Sequence, residues 1–187
     1  MRNVTYSLTM SLDGYVIGPD GQFDWAAPDE EVFQLATDEV RALGIHLLGR
    51  RLYESMLYWD GAEEDASVTA LEREFATIWN RLPKVVFSTT LSEVRGNARL
   101  ASGGLAEEIE RLRAEPGEGN IGIGGATLAA EAAGLGLIDE YLIRVLPVLV
   151  GGGVPYFAHD ERRSNLELVE TRTFDSGVVY LHYKVKR

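Results

Sequence analysis

Cysteine is absent from the sequence, and histidine is rare, with His46, His159 and His182 far apart along the chain. The absence of cysteine excludes disulfides and thiolate metal sites, and it fits a cytoplasmic location. Scattered histidines give metal catalysis no support, so we predict no metal site. A G-x-S-x-G motif is also missing, which leaves a serine hydrolase without support.

The sequence has no apolar run long enough to span a bilayer. Its densest apolar block, at 145–150, is interrupted by Pro147 and followed directly by glycines. Residues 1–10 alternate polar and apolar side chains, which is unlike a signal peptide. We therefore predict no membrane partner.

Positive charge is in short supply. Lysine and arginine total 18 against 29 acidic residues, which gives a formal net charge of -11. This balance opposes non-specific nucleic-acid binding, so we predict no nucleic-acid partner. An anionic ligand would have to be bound locally, by a few arginines and backbone amides. The length of 187 residues, 45% of them hydrophobic, suits one globular domain over residues 1–187.

A glycine-rich stretch after the middle of the chain carries the strongest functional signal. Ile121 and Ile123 favour a short buried strand. Gly124 and Gly125 follow where the chain must turn sharply, and residues 126–133 are almost all helix formers. A helix N-terminus behind glycines offers unpaired N–H groups to a phosphate. The stretch therefore predicts an anion site suited to a nucleotide pyrophosphate, and the alternative is a tight turn with no ligand.

This stretch differs from the dinucleotide fingerprint of Rossmann domains. A G-x-G-x-x-G motif would run from Gly122 through Gly124 to a third glycine, where the sequence has Thr127. The fingerprint also opens a βαβ unit, whereas these glycines come late in the chain. We therefore expect another nucleotide-binding α/β architecture.

Two other predicted strands end in residue types that bind anions. Gly49 is followed by Arg50 and Arg51, and arginine at a helix N-terminus is unfavourable unless it serves an anion. Ser88 and Thr89 follow another strand, where hydroxyl groups can cap, turn or bind phosphate. The alternatives are a solvated basic turn for the arginines and a structural turn for the hydroxyls.

The order of predicted elements defines the fold class. Apolar alternation or helical spacing predicts strands at 4–10, 45–48, 84–87, 121–123, 137–150, 166–174 and 178–185, and helices at 28–43, 52–58, 68–82, 105–114 and 126–133. Units of strand and helix come first, and a hairpin comes last. We therefore predict an α/β fold with a mixed, mostly parallel sheet, helices on both faces and an antiparallel C-terminal hairpin. Such sheets bind ligands at the carboxyl ends of their strands.

The strand predicted at 137–150 suggests a partner surface. Residues 142–150 are more apolar than one exposed strand should be, and Pro147 implies an edge or a bend. An uncovered apolar edge invites pairing, so we predict a homodimer. We expect the glycines at 151–153 to form a flexible connection.

Together these motifs resemble the dihydrofolate-reductase-like superfamily, in particular stand-alone relatives of the riboflavin-biosynthesis reductase domain. The resemblance covers nearly the whole chain, and its specificity lies in the order and spacing of short motifs. These are Ser11-Leu-Asp-Gly-Tyr-Val-Ile-Gly18, Leu47-Leu-Gly-Arg-Arg-Leu-Tyr-Glu54, Val85-Val-Phe-Ser-Thr-Thr90, Ile123-Gly-Gly-Ala-Thr-Leu128, and Leu137-Ile-Asp-Glu-Tyr141 followed by Leu146-Pro-Val-Leu-Val-Gly-Gly-Gly153. Relatives in this family are commonly dimeric, which adds to the prediction of a homodimer.

The resemblance implies that NADPH is bound along the strand ends and reduces a small substrate. Such a substrate is a heterocycle or a related C=N or C=O compound, similar to a ribosylaminouracil phosphate or a pterin. The residues that resemble the family's cofactor site are Gly49, Arg50 and Arg51 at the phosphates, Ser88 and Thr89 near the adenosine 2′-phosphate, and Gly124, Gly125, Ala126 and Thr127 in the pyrophosphate loop. The residues that resemble the lid over the nicotinamide are Asp13, Gly14, Ile17, Gly18 and Trp25.

The resemblance also suggests a catalytic carboxylate. Dihydrofolate reductases place one on the first helix, shortly after a tryptophan and a proline. Trp25, Pro28 and Glu30 fall in similar places, so Glu30 is assigned this role, and Asp29 is the alternative if the alignment slips by one. Acidic residues in the first turn of a helix are also favoured by its dipole alone. The riboflavin enzyme often carries a zinc deaminase in front, which the lack of cysteine excludes here. A second function stays open, namely a nucleotide-binding or structural protein on the same fold that has lost its chemistry.

Overall fold

An eight-stranded sheet forms the centre of the fold in the computed structural model, which describes residues 2–159 and 163–187. In chain order the strands are β1 (Val4–Ser11), β2 (Tyr15–Ile17), β3 (Leu43–Gly49), β4 (Lys84–Phe87), β5 (Ala98–Leu100), β6 (Asn120–Gly124), β7 (Glu140–Leu146), β8 (Val154–Pro155), β9 (Leu166–Thr173) and β10 (Val179–Val185). The helices are α1 (Glu30–Arg41), α2 (Arg50–Met56), α3 (Ala70–Arg81), α4 (Leu105–Ala114) and α5 (Ala126–Gly134), with 3-10 turns at Asp24–Ala26, Leu57–Trp59 and Ala62–Glu64.

The sheet is mixed and mostly parallel. Its strand order is β5-β4-β3-β6-β1-β7-β10-β9, and β2 pairs separately with β8. Neighbours from β5 to β7 run parallel, whereas β10 is antiparallel to both β7 and β9. The predicted α/β fold with an antiparallel C-terminal hairpin is therefore confirmed. Strands β2, β5 and β8 were not predicted, because two or three residues are too few for alternation to be visible.

Helices cover both faces of the sheet, as predicted. On one face, buried side chains of α4 and α5 share one core cluster with those of β1, β3 and β6, including Ile109, Leu128, Val4 and Ile121. On the other face, α1, α2 and α3 surround an aromatic cluster in which the Phe33 and Phe75 ring centroids lie 5.3 Å apart. Burial on both faces explains why the parallel strands are nearly continuous apolar runs. No helix of the described residues is long and apolar enough to cross a membrane.

The position of β7 corrects one prediction. The strand is shorter than the predicted 137–150, since it ends at Leu146, and it lies between β1 and β10. Its apolar character therefore reflects pairing on both sides, and the expectation that 142–150 forms an uncovered edge is wrong. Pro147 follows the strand and marks a bend. Among the described residues, the edges of the sheet are β5 and β9.

One face of β9 and β10 carries no charged side chain. The strand register places Leu181 beside Thr171, Tyr183 beside Leu168 and Val185 beside Leu166. The opposite face pairs Tyr180 with Arg172, His182 with Glu170 and Lys184 with Glu167. Leu168 remains 50% exposed on the uncharged face. Its other apolar side chains, Leu166, Leu181, Tyr183 and Val185, pack against the core and are partly buried, so the homodimer prediction now rests on the exposed part of this face around Leu168.

Candidate functional site

Two glycines face each other at the carboxyl edge of the sheet. Gly49 ends β3, and Gly125 directly follows β6, the strand beside β3. A Cβ built on Gly125 would lie 3.9 Å from the backbone nitrogen of Gly49, and one built on Gly49 would lie 3.9 Å from its nearest neighbour. Either position therefore has room for a methyl group, in ordinary van der Waals contact with the neighbouring backbone. We call the space between Gly49 and Gly125 the glycine opening.

The glycine opening leads onto the N-terminus of α5. Gly125 precedes the helix with φ +101° and ψ 127°, a conformation that favours glycine, and it offers no side-chain cap. Ala126 and Thr127 begin the helix, and Thr127 is exposed. The first N–H groups of a helix carry partial positive charge and lack helical partners. The opening can therefore accept an anion, which is the arrangement predicted for a pyrophosphate.

Gly124 has a different task from Gly125. A Cβ on Gly124 would lie 2.6 Å from Leu52 Cδ2 and 2.8 Å from Leu48 Cδ2. Glycine at this position therefore makes room for side chains that pack over β6. A Cβ on Gly122 would similarly lie 2.9 Å from His46 Cδ2. The predicted contact of Gly124 with a ligand can be made only through its backbone.

The two predicted arginines lie at the start of α2, next to the glycine opening. Arg50 pairs with Glu54 at 3.4 Å, and both side chains are 43% exposed. A surface pair of this kind contributes little stability and is easily exchanged for another partner. Arg51 is exposed, and its guanidinium has no hydrogen bond or ion pair within the described part of the chain. Both cations are therefore available to an anion at this edge.

The two predicted hydroxyl residues after β4 differ in their contacts. Ser88 is hydrogen-bonded within its turn, whereas Thr89 is exposed to solvent. The Ser88 hydroxyl accepts hydrogen bonds from the backbone N–H groups of Thr90 at 3.1 Å and Leu91 at 3.0 Å. Ser88 thus shapes the turn in which it stands. Thr89 is exposed beside it. Because β4 is two strands from β6, this turn lies roughly 10 Å along the edge from Gly125.

The loop that resembles a lid is fastened to the segment after β7. The Asp13 carboxylate accepts hydrogen bonds from the N–H groups of Val150 at 3.2 Å and Gly151 at 2.8 Å. A hydrogen bond to the Ser11 side chain, followed by those backbone bonds, lowers the pKa of Asp13. A Cβ on Gly153 would lie only 2.0 Å from the carbonyl oxygen of Ile17. The expectation of a flexible connection at 151–153 is therefore wrong, since this segment packs against the loop.

The remaining lid residues lie along the same loop. Gly14 has φ +90°, and its carbonyl accepts a hydrogen bond from Tyr156 N at 2.8 Å. Ile17 pairs with Val154, while Gly18 N–H donates to the Gln22 carbonyl at 2.8 Å. The Trp25 indole Nε1 is buried and has no hydrogen-bond partner among the described residues. The long-range contacts of this loop could not be read from local sequence.

The two candidate carboxylates differ in what they already bind. Asp29 caps α1 by accepting a hydrogen bond from Val32 N at 2.8 Å. A hydrogen bond from the Ser176 side chain, followed by the one from Val32, lowers the pKa of Asp29. The capping bond therefore occupies this carboxylate and leaves it less free to meet a substrate. Glu30 is the first residue of α1 and is exposed, so its carboxylate is free to turn toward a ligand.

The site residues follow the carboxyl edge from one strand to the next. Along the edge come the turn after β4, Gly49, Gly125, the lid after β1, and the start of α1 near the β9–β10 turn. Strands lie about 4.8 Å apart, so this row spans roughly 24 Å over five steps. An extended ligand with phosphates near its middle fits such a row. The described residues contain no group of three or more His, Cys, Asp or Glu that could hold a metal ion.

The chain belongs to the family described as the RibD C-terminal domain, which matches residues 2–180. It is 32% identical to the uncharacterized protein YyaP of Bacillus subtilis (strain 168) over 182 residues, covering 97% of this chain and 94% of that protein. A putative riboflavin biosynthesis protein from Shewanella sp. PV-4 has a similar structure, with a TM-score of 0.76, 24% identity and full coverage of both chains. The resemblance predicted from the motifs is therefore confirmed.

A third similar protein has the same fold within a longer chain. It is a diaminohydroxyphosphoribosylaminopyrimidine deaminase/5-amino-6-(5-phosphoribosylamino)uracil reductase from Thermotoga maritima, similar with a TM-score of 0.68 and 13% identity. The match covers 99% of this chain and 57% of that chain. At this identity the likeness concerns the fold alone.

Proposed function

We propose that the protein is an NADPH-dependent reductase of a small heterocycle or a related C=N or C=O compound. The observation that carries the proposal is the glycine opening between Gly49 and Gly125. It stands beside two cations, Arg50 and Arg51, that have no strong partner among the described residues. Membership of a reductase-domain family supports the same conclusion.

Each part of the edge has a task in this proposal. The N–H groups of α5 hold the pyrophosphate, because glycine at position 125 lets it approach the backbone. Arg51, with Arg50 and Thr89, binds the additional phosphate that distinguishes NADPH from NADH. The bound cofactor supplies the hydride. Trp25 and the fastened lid exclude water from the reacting groups, so that the reactants are held close in a dry space.

Glu30 acts on the substrate side. Hydride addition to the carbon of a C=N or C=O bond leaves negative charge on the nitrogen or oxygen, which then needs a proton. In this proposal Glu30 orients the substrate and passes a proton to that atom through water, and the proton is replaced from solvent. Asp29 remains the alternative, although its capping bonds make it the weaker candidate.

The substrate class follows from the same family. The name of the Thermotoga maritima protein includes reduction of a phosphoribosylaminouracil, so a ribosylaminopyrimidine is the first compound to test. A pterin is the second. Fold likeness alone does not determine a substrate, so each compound is tested directly.

A second function is a nucleotide-binding protein without catalysis. One feature favours it: among the described residues, the carboxylate at the start of α1 that is held by hydrogen bonds is Asp29, and it serves as a helix cap. In that case NADPH binds but no substrate is reduced.

Calorimetry with NADPH and NADH tests the cofactor assignment. We expect NADPH to bind more tightly, and Arg51→Gln to weaken NADPH at least tenfold while leaving NADH nearly unchanged. Arg81→Gln, an equal change of charge at the end of α3, serves as the control. Equal affinity for the two cofactors, or no affinity for either, would overturn the proposal. Loss of NADPH absorbance with a ribosylaminopyrimidine or a pterin then separates the reductase from the non-catalytic alternative.

A further inference from the structure

A groove lies at the amino ends of the parallel strands, on the side of the sheet away from the glycine opening. Its volume is about 370 Å³, within the usual range of ligand sites. It is bounded by the end of α4, the loop that follows and the start of β6, and the side chains used below are Arg2, Arg113, Glu115 and Asn120. The five residues of β6 separate this groove from the glycine opening by roughly 13 Å. A ligand here would therefore be a different molecule from one bound at Gly125.

Arg2 presents an unpaired cation to this groove. Its Nε donates to the Gly119 carbonyl at 3.0 Å, which fixes the guanidinium against the loop. A Cβ on Gly117 would lie 3.3 Å from Nη1, so glycine at this position lets the guanidinium lie on the backbone. Neither Nη atom has a hydrogen-bond or ion-pair partner among the described residues. Two fixed donors are therefore left for a ligand.

Arg113 contributes a second, only partly neutralised cation. Its Nη2 binds Asp139 Oδ2 at 2.5 Å and the Leu137 carbonyl at 3.3 Å, whereas its Nε is buried without a partner in the described part of the chain. Asp139 also binds Arg187 and accepts a hydrogen bond from Val4 N at 2.8 Å. One carboxylate is thus shared by two guanidinium groups. The 16% of the Arg113 side chain that stays exposed belongs to the lining of the groove and adds positive charge there.

Of the described residues that line the groove, one is acidic, Glu115, and it does not cancel this charge. The Glu115 side chain is 53% exposed, and its carboxylate lies 3.9 Å from Arg111 Nε. The chain has a net charge of -11, so a local excess of positive charge is unusual on it. Such an excess indicates an anionic ligand in this region. Arginines from two different elements, together with a glycine-rich loop, provide donors from several directions. Such an arrangement suits a tetrahedral oxyanion better than the planar fork of one carboxylate.

We propose that this groove binds the phosphate group of a small molecule through Arg2 and Arg113, at a site separate from the cofactor edge. The Asn120 amide lies at the mouth of β6 and provides a polar contact for the group attached to the phosphate. Because the ligand binds only the folded chain, it also stabilises the fold.

Titration with inorganic phosphate, followed by amide NMR at constant ionic strength, tests the site. Constant ionic strength is needed because salt screens exposed charges. We expect the amides of Gly117, Gly119 and Asn120 to shift, and Arg2→Gln to weaken this response at least tenfold. Arg81→Gln, the matched loss of one exposed arginine, should leave it unchanged.

The same spectra separate this site from the proposed cofactor site. Phosphate at the cofactor edge shifts the amides of Gly49 and Gly125, and that response should survive Arg2→Gln but not Arg51→Gln. Absence of a shift at Gly117 and Gly119, or an equal shift in Arg2→Gln, would overturn the proposal. An equal response to acetate would also overturn it, since the groove would then bind anions without preference for phosphate.

Discussion

Alanine at Gly124 and alanine at Gly125 should have different functional results, although the residues are adjacent. At Gly124 a methyl group would lie 2.6 Å from Leu52 Cδ2 and 2.8 Å from Leu48 Cδ2. Overpacking of this kind costs about 1–3 kcal/mol, and the entropy gained by replacing glycine in a strand returns roughly 0.5–1 kcal/mol. We expect Gly124→Ala to lower the free energy of unfolding by about 1–2 kcal/mol.

At Gly125 the cost of alanine comes from the backbone. A methyl group there has room, because its nearest neighbour is 3.9 Å away, but φ is +101°. A non-glycine residue held in such a conformation costs of order 1–3 kcal/mol. Replacing glycine again returns roughly 0.5–1 kcal/mol, because the unfolded chain loses conformational entropy. The two variants should therefore be destabilised by similar amounts. Only Gly125→Ala places a methyl group in the glycine opening, so only this variant should bind NADPH at least tenfold more weakly, a change of about 1.4 kcal/mol.

Urea unfolding followed by circular dichroism measures the free energy of unfolding, and calorimetry with NADPH measures the affinity for the cofactor. The titrations are made at a temperature where both variants are folded, so that stability does not enter the measured affinity. An equal loss of affinity in the two variants would show that the ligand does not distinguish Gly125 from its neighbour. Full affinity in Gly125→Ala would show that glycine at this position only shapes the turn.

Three further predictions concern stability, chemistry and assembly. Burial is the largest cause that lowers the pKa of His46 from 6.5 to about 4, so the stability contributed by the neutral ring is present above pH 6.5 and is lost as the pH falls toward 4. Between about pH 7.5 and 5 the wild type should lose about 2 kcal/mol more than His46→Leu in urea unfolding, and equal losses would contradict the assignment. Glu30→Gln should lower kcat/KM roughly a hundredfold once a substrate is found, whereas Asp29→Asn should change it little; full activity in Glu30→Gln would leave that residue as a helix-start acid only. Light scattering should show a homodimer, and Leu168→Glu should convert it to the 20.6 kDa monomer. Arg172→Gln, an equal charge change on the opposite face, should leave the dimer intact. A monomeric wild type at micromolar concentration would contradict this prediction.

The sequence could predict that the candidate site residues lie at one edge of the sheet, because this placement depends on local patterns. Units of strand and helix force parallel pairing, and parallel strands bring their carboxyl ends to one edge. Gly49, Ser88 and Gly125 each follow a strand that was predicted, so their common edge was predicted too. Strand β4 and helix α4 also have the predicted bounds. Pro83 before β4 and Pro116 after α4 mark these boundaries locally.

The features that could not be predicted depend on distant parts of the chain. Gly124 and Gly125 look equivalent in the sequence, and only the positions of Leu48 and Leu52 assign packing to one and an opening to the other. An apolar strand reads the same whether it is interior or at an edge, so the place of β7 depends on its pairing with β1 and β10. The bond between Asp13 and Gly151 joins residues 138 positions apart. No local pattern carries that information.

The bonds between the proposed lid loop and the segment after β7 also imply a kinetic consequence. Within the described part of the chain, strands β2 and β8 pair only with each other, and a two-stranded ribbon is marginally stable by itself. The Asp13 carboxylate and the hydrogen bond from Leu12 N to Val148 O, at 2.8 Å, join the same two segments. Neither segment can move far without breaking these bonds or carrying the other along. Access to the site would then be gated by two segments acting as one cooperative unit, and a substitution at Gly151 would change its opening rate as much as one within the lid loop.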